Sequence, residues 1–358
     1  MRIVSKYFSK EFLKLLGLFQ LTFLFIYLLV DFIEKIDNFI EANASNSAML
    51  AYFFYKIPYI MIQMVPVATL LSVIVMFCLM EKNNEVTALK ACGMNIIELS
   101  KPIIIVSVFV AGLVFLVSEL IVPYASSKSN EIWNIEVEKR DQRQLYGQTQ
   151  VWYKGEDAIY WIRYFDPQKK SMEDVTFYFF DDSFQLVKRI DARKGIWTGD
   201  KWRIREGIVH IARNGGDYQL KRFDEIDLAL PEQPEDFIRT IRQPEEMSYW
   251  ELKRYAEKIR REGYDPTAYL VDMNIKLAFP LINLVMVLIG IPIALGLKRG
   301  GTSLAVSLGV AVCFLYLVTL GFARSLGLSG ILPPLLSAWL ANAVFFFSGV
   351  YLIARVET

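Results

Sequence analysis

The sequence predicts an α-helical membrane protein with six transmembrane helices, three and three, around an inserted antiparallel β domain of sandwich or jelly-roll class. Three observations predict it. Apolar stretches fill residues 12–123 and 268–354. Between them, 124–267 is polar and cut into short alternating runs. The chain is also 54% hydrophobic yet 22% charged, with a mean hydropathy of +0.32. That combination requires the charge to be segregated from the apolar spans. The expected organisation is 1–123 with spans one to three and a coupling helix near 81–100, then 124–267 with the β domain and a connecting helix, then 268–358 with spans four to six.

A span needs about 20 mostly apolar residues. The first is Leu15–Phe32, extending toward Phe12; it exceeds a signal-peptide core and reads as a retained helix. The second is Phe53–Met80, with Pro58 and Pro66 inside it, and the third is Ile103–Val122. The fourth, Ile275–Leu297, contains Pro280 and Pro292; Leu304–Phe322 and Leu335–Ile353 complete the set. Prolines are tolerated in a span where neighbours re-satisfy the freed carbonyls.

Basic residues choose the orientation. One side collects Arg2, Lys6, Lys10, Lys14, Lys82, Lys90, Lys101, Lys298, Arg299 and Arg355, the other only Lys35, Lys56 and Arg324. Both termini and the 81–101 segment are therefore expected in the cytoplasm, and the insert on the opposite side of the membrane. The net charge of +1 gives no footprint for nucleic acid. The three cysteines, Cys78, Cys92 and Cys313, lie outside the insert, so no disulfide is expected there.

From Gln148 the runs "TQVWYKG", "DAIYWIRYFD", "EDVTFYFFDD", "FQLVKRIDARKGIWTGD", "KWRIREGIVHIARNGG" and "YQLKRFDEIDLAL" alternate with period two between turn residues. This pattern predicts antiparallel strands. Val175, Phe177 and Phe179 alternate on one face, as do Trp202, Ile204 and Ile208 with one slip. An ordinary core and an apolar trough for acyl chains both fit it. In "PEEMSYWELKRYAEKIRREGYDP", Ser248 and Glu251 have capping-box spacing and Gly263 is a stop.

No catalytic constellation is present. His210 is the single histidine and sits mid-strand, no Cys/His spacing suits zinc, and "LKRGGTS" lacks the order of a phosphate loop. No metal, cofactor or intrinsic ATP hydrolysis is expected. The segment "MEKNNEVTALKACGMNIIELSKP" instead reads as an amphipathic stretch of about 22 residues. Val86, Leu89 and Ala91 offer its apolar face, Gly93 breaks it, and Glu85 sits where the helix dipole favours a carboxylate. Charges also gather at the membrane edges: Asp31, Glu34, Lys35 and Asp37, then Glu119, then Asp272 and Lys276. Ionisable groups at such depth usually face a protein interior or a wet cavity, though snorkelling also explains the lysines.

"EVTALKACGM", "NIKLAFPLINLVMVLIGIPIALG" and "LPPLLSAWLANAVFF", with the order of spans and insert, resemble the LptF/LptG permeases of the lipopolysaccharide export ABC transporter, the LptG member more than LptF. The resemblance implies a heterodimer with an LptF-like paralogue, and a cytoplasmic LptB-like ATPase dimer that binds the ATP and magnesium. It also implies a periplasmic LptC/LptA-like bridge protein, a lipopolysaccharide substrate and the bacterial inner membrane. Glu85, Val86, Leu89, Lys90 and Gly93 would couple to the ATPase. Asp31, Glu34 and Lys35 on the first span and Phe314, Leu317 and Arg324 on the fifth would form a lateral gate. Val175, Phe177, Phe179, Trp202 and Ile204 would line a lipid trough. The stretch "VDFIEKIDNFIEAN" departs from the LptG pattern: Lys35 is its only base. Two other readings are a mechanotransmission-type ABC permease, which usually has four spans, and a membrane scaffold whose β domain recruits periplasmic partners. A scaffold would need neither prolines in the spans nor a coupling segment.

Overall fold

The computed structural model describes residues 2–139, 148–155, 158–181, 184–212, 218–237, 243–261, 264–296 and 301–357. Two compact units emerge. One comprises Met1–Ile132 with Arg242–Thr358, and the other is Trp133–Ile241. Leu297, Lys298, Arg299 and Gly263, all used in the sequence reading, and Gly300 of the "LKRGGTS" run lie outside the described residues.

The helical unit contains α1 (Arg2–Glu41), α2 (Asn46–Lys82), α3 (Glu85–Ala91), α4 (Ile96–Leu120), α5 (Val122–Ile132), α6 (Tyr249–Arg261), α7 (Thr267–Gly296), α8 (Gly301–Leu328) and α9 (Pro334–Glu357). Six of these are long and apolar enough to cross a membrane. Several outrun the expected spans. At 40 residues α1 reaches about 60 Å, roughly twice the hydrocarbon thickness of a bilayer. Nothing in the polar flanks stops the helix until Glu41, beyond which Asn43 turns left-handed (φ 52°). Ser45 then caps α2, its hydroxyl accepting from the Ala48 amide at 3.2 Å.

Helices α2 and α7 are the buried pair. Of their most apolar windows 67% and 78% are buried, against 33% or less for the other four. These are also the helices that carry paired prolines, Pro58 and Pro66 in one and Pro280 and Pro292 in the other. Side-chain amides serve backbone oxygens around Pro280: Asn283 Nδ2 donates to its carbonyl at 2.9 Å, and Asn342 Nδ2 donates to that of Ala278 at 2.8 Å. Tyr316 donates to Asn342 Oδ1 at 2.7 Å, so one relay joins α7, α8 and α9. Such bonds hold helices together where lipid gives no hydrophobic drive to do so.

The β unit has six strands: β1 (Gln148–Lys154), β2 (Ala158–Asp166), β3 (Ser171–Phe180), β4 (Leu186–Trp197), β5 (Trp202–Ala212) and β6 (Tyr218–Leu228). They form one antiparallel sheet in sequence order, a meander with no Greek-key crossing among the described strands. Tyr160, Phe177, Ile190 and Val209 face one another in a buried row, and Phe165, Met172, Gly195 and Ile204 in a second.

Between the two rows every strand from β2 to β5 shifts its alternation by one residue. Burial passes from Ile162 to Phe165, from Met172 to Val175, from Ala192 to Gly195, and from Ile204 to Val209. An uncompensated one-residue slip would turn the apolar set outward. Left-handed backbone at Asp174 (φ 45°) and Glu206 (φ 56°) lies on the line of the shift, and ion pairs Arg163–Asp174 (2.6 Å) and Arg193–Glu206 (3.4 Å) run along it. This line is the slip expected near Ile208; Val209 takes the inward place and Ile208 stays half-exposed.

The segments flanking the strands pack with the helical unit, so the β unit is shorter than the 124–267 insert. Ser248 and Glu251 close the capping box in both directions: Ser248 N donates to Glu251 Oε2 at 2.9 Å, and Glu251 N to Ser248 Oγ at 3.2 Å. Glu119, at the end of α4, accepts from the Tyr249 amide at 2.7 Å and ties α6 to the bundle. Asp265 accepts from both the amide and the hydroxyl of Thr267 at the start of α7, which holds its carboxyl below the usual range.

Gly207 has no room for a side chain. A Cβ there would lie 2.5 Å from the Asp191 carbonyl oxygen and 2.5 Å from the ring of Phe223. Gly207→Ala is expected to cost about 1–3 kcal/mol through forced backbone and ring shifts. Gly112→Ala, with nothing within 4 Å, should leave stability unchanged. Thermal unfolding of the full chain in detergent, followed by hydrogen exchange in β5, separates the two.

Candidate functional site

Four features of the described residues bear on function: a charged cluster and two adjoining cavities at the end of the helical unit where the chain leaves for the β unit, α3 at the other end, and the interior of the sheet.

The cluster centres on Asp31 of α1, only 6% exposed. Lys56 Nζ, from α2, donates to both its carboxylate oxygens at 2.7 and 2.8 Å. Lys35, one turn on from Asp31, approaches at 3.2 Å and also donates to the Tyr52 hydroxyl. Tyr52 is one turn before Lys56 and receives it too, at 3.4 Å. Two i,i+4 pairs on facing helices thus mesh. In the sequence reading Lys35 was the only base of this region. The structure adds Lys56, hidden because it falls within an otherwise apolar span; a lysine in such a span, one turn from a tyrosine, was the available signal. A polar cavity of about 220 Å³ opens on Lys35, Tyr52 and Lys56, with Ser129, Asn130 and Glu245 opposite.

Tyr59 and Glu245 also line a second cavity of about 350 Å³. Its walls are largely apolar, including Ile62, Phe279, Leu317 and Leu320. Charge is confined to a few groups: Asp272, Lys276, Glu245 and Arg324. Arg324 places Nη2 at 2.8 Å and Nε at 3.1 Å from Asp272 Oδ1. An apolar chamber with a few charged groups at one side suits an amphiphile. Of the expected gate residues, Leu317 and Arg324 line this chamber and Lys35 lines the other. Phe314 is exposed on α8 and lines neither cavity, and Glu34 is exposed on α1 without an ion pair among the described residues. Asp31 is buried beneath the lysines rather than facing the cavity.

At the opposite end, α3 is seven residues long rather than about 22. Asn84 is left-handed before it (φ 61°) and Gly93 after it (φ 85°). Gly93 N bonds to the Lys90 carbonyl at 2.9 Å and Met94 N to that of Leu89 at 3.2 Å, the paired bonds of a Schellman stop that needs a glycine at this place. Val86 is buried and Leu89 half-buried in a cluster with Phe8, Phe12, Phe77 and Met80. Ala91 does not share that face: five residues past Val86 it is rotated away, and it is exposed with Thr87, Ala88 and Lys90. Glu85 accepts from the Tyr7 hydroxyl at 3.0 Å, which joins α3 to the start of α1.

In the sheet, Val175, Phe177, Trp202 and Ile204 are fully buried and Phe179 is half-buried. They do not line an open trough here. Phe237, from the segment after β6, joins the same buried cluster and packs over Trp202, with ring centroids 5.2–5.8 Å from Tyr153, Tyr160, Phe165 and Trp202. Glu232 holds the same segment down, accepting from Tyr160 Oη at 2.6 Å while its carbonyl accepts from Trp202 Nε1 at 3.0 Å. His210 lies on the outer face with its Nε2 3.1 Å from Asp191. Among the described residues no group of three or more His, Cys, Asp or Glu could hold a metal.

Six helices long and apolar enough to cross a membrane, with an antiparallel sheet inserted between them, define a multi-pass membrane protein. The description of the matching family is lipopolysaccharide export system permease LptF/LptG, and its model covers residues 6–355. The chain belongs to that family; its description names both paralogues and does not separate them. No curated protein matches the chain.

Removing one member of a buried ion pair costs about 3–5 kcal/mol when it strands the other charge. Asp31→Leu strands two ammonium groups, whereas Lys56→Met leaves Asp31 with Lys35. The expected order of melting temperatures in detergent is therefore wild type, then Lys56→Met, then Asp31→Leu, with the double variant above Asp31→Leu alone. Lys56→Met as the least stable of the set contradicts this arrangement.

Proposed function

We propose that the chain is one half of the membrane core of an inner-membrane exporter, paired with a paralogous permease and powered by a separate ATPase dimer. The observation that carries this reading is the family match over residues 6–355. Lipopolysaccharide enters between α1 of one permease and α8 of the other. Its phosphates meet Lys35 and Lys56, and its acyl chains meet the apolar chamber beside them. Asp31 is the resident counter-ion of both lysines, so an arriving phosphate competes with a carboxylate already in place. Competition keeps binding weak enough for release when the cavity narrows, and it adapts an acidic segment to an anionic cargo. The amino-terminal side faces the cytoplasm, as the distribution of basic residues supports.

In this reading α3 is the coupling element. Its apolar side is anchored in the bundle, and its small exposed face, Thr87, Ala88 and Ala91, is free for the ATPase. Glu85 links that face to α1 through Tyr7, so ATP-driven closure of the partner moves the helix that carries Asp31 and Lys35. Cargo then reaches the β unit, where acyl chains take the place of Phe237, and leaves through edge pairing with a periplasmic bridge protein, an addition of strands to β1 or β6.

Two outcomes test the scheme. In a reconstituted complex with its ATPase, Glu85→Arg should abolish lipid-stimulated ATP hydrolysis while the chain still inserts; undiminished transport would sink the coupling role. Separately, Lys35→Gln and Lys56→Gln should each lower lipopolysaccharide retention about tenfold, the scale of one charge-assisted hydrogen bond. Unchanged retention on native mass spectrometry removes the lysines from the cargo site.

A further inference from the structure

At the end of the helical unit that carries α3, the first turns of α1 and α4 do not close on each other. A groove of about 440 Å³ lies between them. Its walls include Val4 of α1 and Ile105 and Val106 of α4. Lys6 and Lys101 both line it, both are exposed, and neither has an ion pair among the described residues. Glu98 is the third charge there; it sits in the first turn of α4, where the helix dipole favours a carboxylate. The three charges sum to +1.

The groove runs on into a surface that faces lipid. Ile105, Val108 and Phe109 are 58%, 55% and 75% exposed, in a helix long and apolar enough to span a bilayer. Lysines at the end of a span snorkel to the interface one by one. Here two of them, on helices far apart in sequence, converge on one apolar groove. Two ammonium groups above an apolar channel match one molecular shape, a phosphate joined to acyl chains. The net positive charge favours a headgroup that is anionic over one whose own amine would meet the lysines.

We infer that the groove between the first turns of α1 and α4 binds an anionic phospholipid of the surrounding bilayer, its phosphate between Lys6 and Lys101 and an acyl chain along Val4, Ile105 and Val106. The site is separate from the cavities around Lys35 and Arg324, which lie at the other end of the helices. The bound lipid braces α1 against α4 next to Tyr7, and so steadies the contact that Tyr7 makes with Glu85.

The test uses the full chain in nanodiscs of phosphatidylcholine doped with phosphatidylglycerol, with retained lipid counted by native mass spectrometry after gentle release. Wild type should keep phosphatidylglycerol in preference to phosphatidylcholine. Lys6→Gln/Lys101→Gln should lower its affinity about thirtyfold, equivalent to about 1 kcal/mol for each lysine. Lys6→Glu/Lys101→Glu, which reverses both charges, should lower it further. Lys10→Glu/Lys14→Glu makes the same change of charge on α1 outside the groove and should retain the lipid. Equal losses in both Glu pairs would reduce the effect to general surface attraction and overturn the site, as would retention in both. Displacement of phosphatidylglycerol by lipopolysaccharide or by inorganic phosphate would also overturn the assignment, giving the groove to cargo or to a free anion. Each readout is lipid retention, so failure of the export reading leaves the test intact.

Discussion

Packing of α2 against α7 is the interaction on which the helical unit depends. Backbone polar groups in hydrocarbon must be satisfied within the protein, and these two helices each contain two prolines that remove donors. They can do so because they are the buried pair. Asn283 and Asn342 serve carbonyls beside Pro280, and Tyr316 extends the relay to α8. The other four spans surround this pair and give one side to lipid. Irregularity is concentrated where protein can absorb it: four of the internal prolines lie in this pair, and Pro102 of α4 is itself buried.

The same economy explains the placement of charge. At one end Asp31 is shared by Lys56 and Lys35, and Asp272 engages Arg324. All three cations counted against the orientation rule are thus bound to carboxylates inside the bundle. At the other end Lys6 and Lys101 line a groove without an ion pair among the described residues. The cations held by Asp31 and Asp272 line the cavities at one end, and Lys6 and Lys101 line the groove at the other, so each end of the same helix α1 presents a different chemistry to phosphate. Glu85, held by Tyr7, ties α3 to that helix.

Much of the fold was legible in the sequence, for reasons that differ by element. Six apolar runs show six helices because hydrocarbon thickness sets a length that few other structures need. The capping box at Ser248 and Glu251 was legible from spacing alone, since both of its bonds are local. The extent of α3 was not. The 22-residue amphipathic stretch resolves into the end of α2, the seven residues of α3 and the first turns of α4, because Asn84 and Gly93 turn left-handed; Ala91, five residues past Val86, leaves the apolar face by the helix period. Lys56 was counted as an ordinary loop charge, since nothing linear relates it to Asp31.

By itself the sequence determined the class of protein, the number and order of the spans, the place of the inserted sheet and several residues of its inward face, Val175, Phe177, Trp202 and Ile204 among them. Those are consequences of local hydropathy and of periods of two and 3.6, which a linear pattern carries in full. Tertiary structure alone decided that the inward face of the sheet packs with Phe237, that its alternation shifts along the line of Asp174 and Glu206, and that Asp31 holds two lysines. Each of these depends on side chains brought together across strands or helices distant in sequence. Hydropathy records how deep a residue lies; only packing records which partner it meets there.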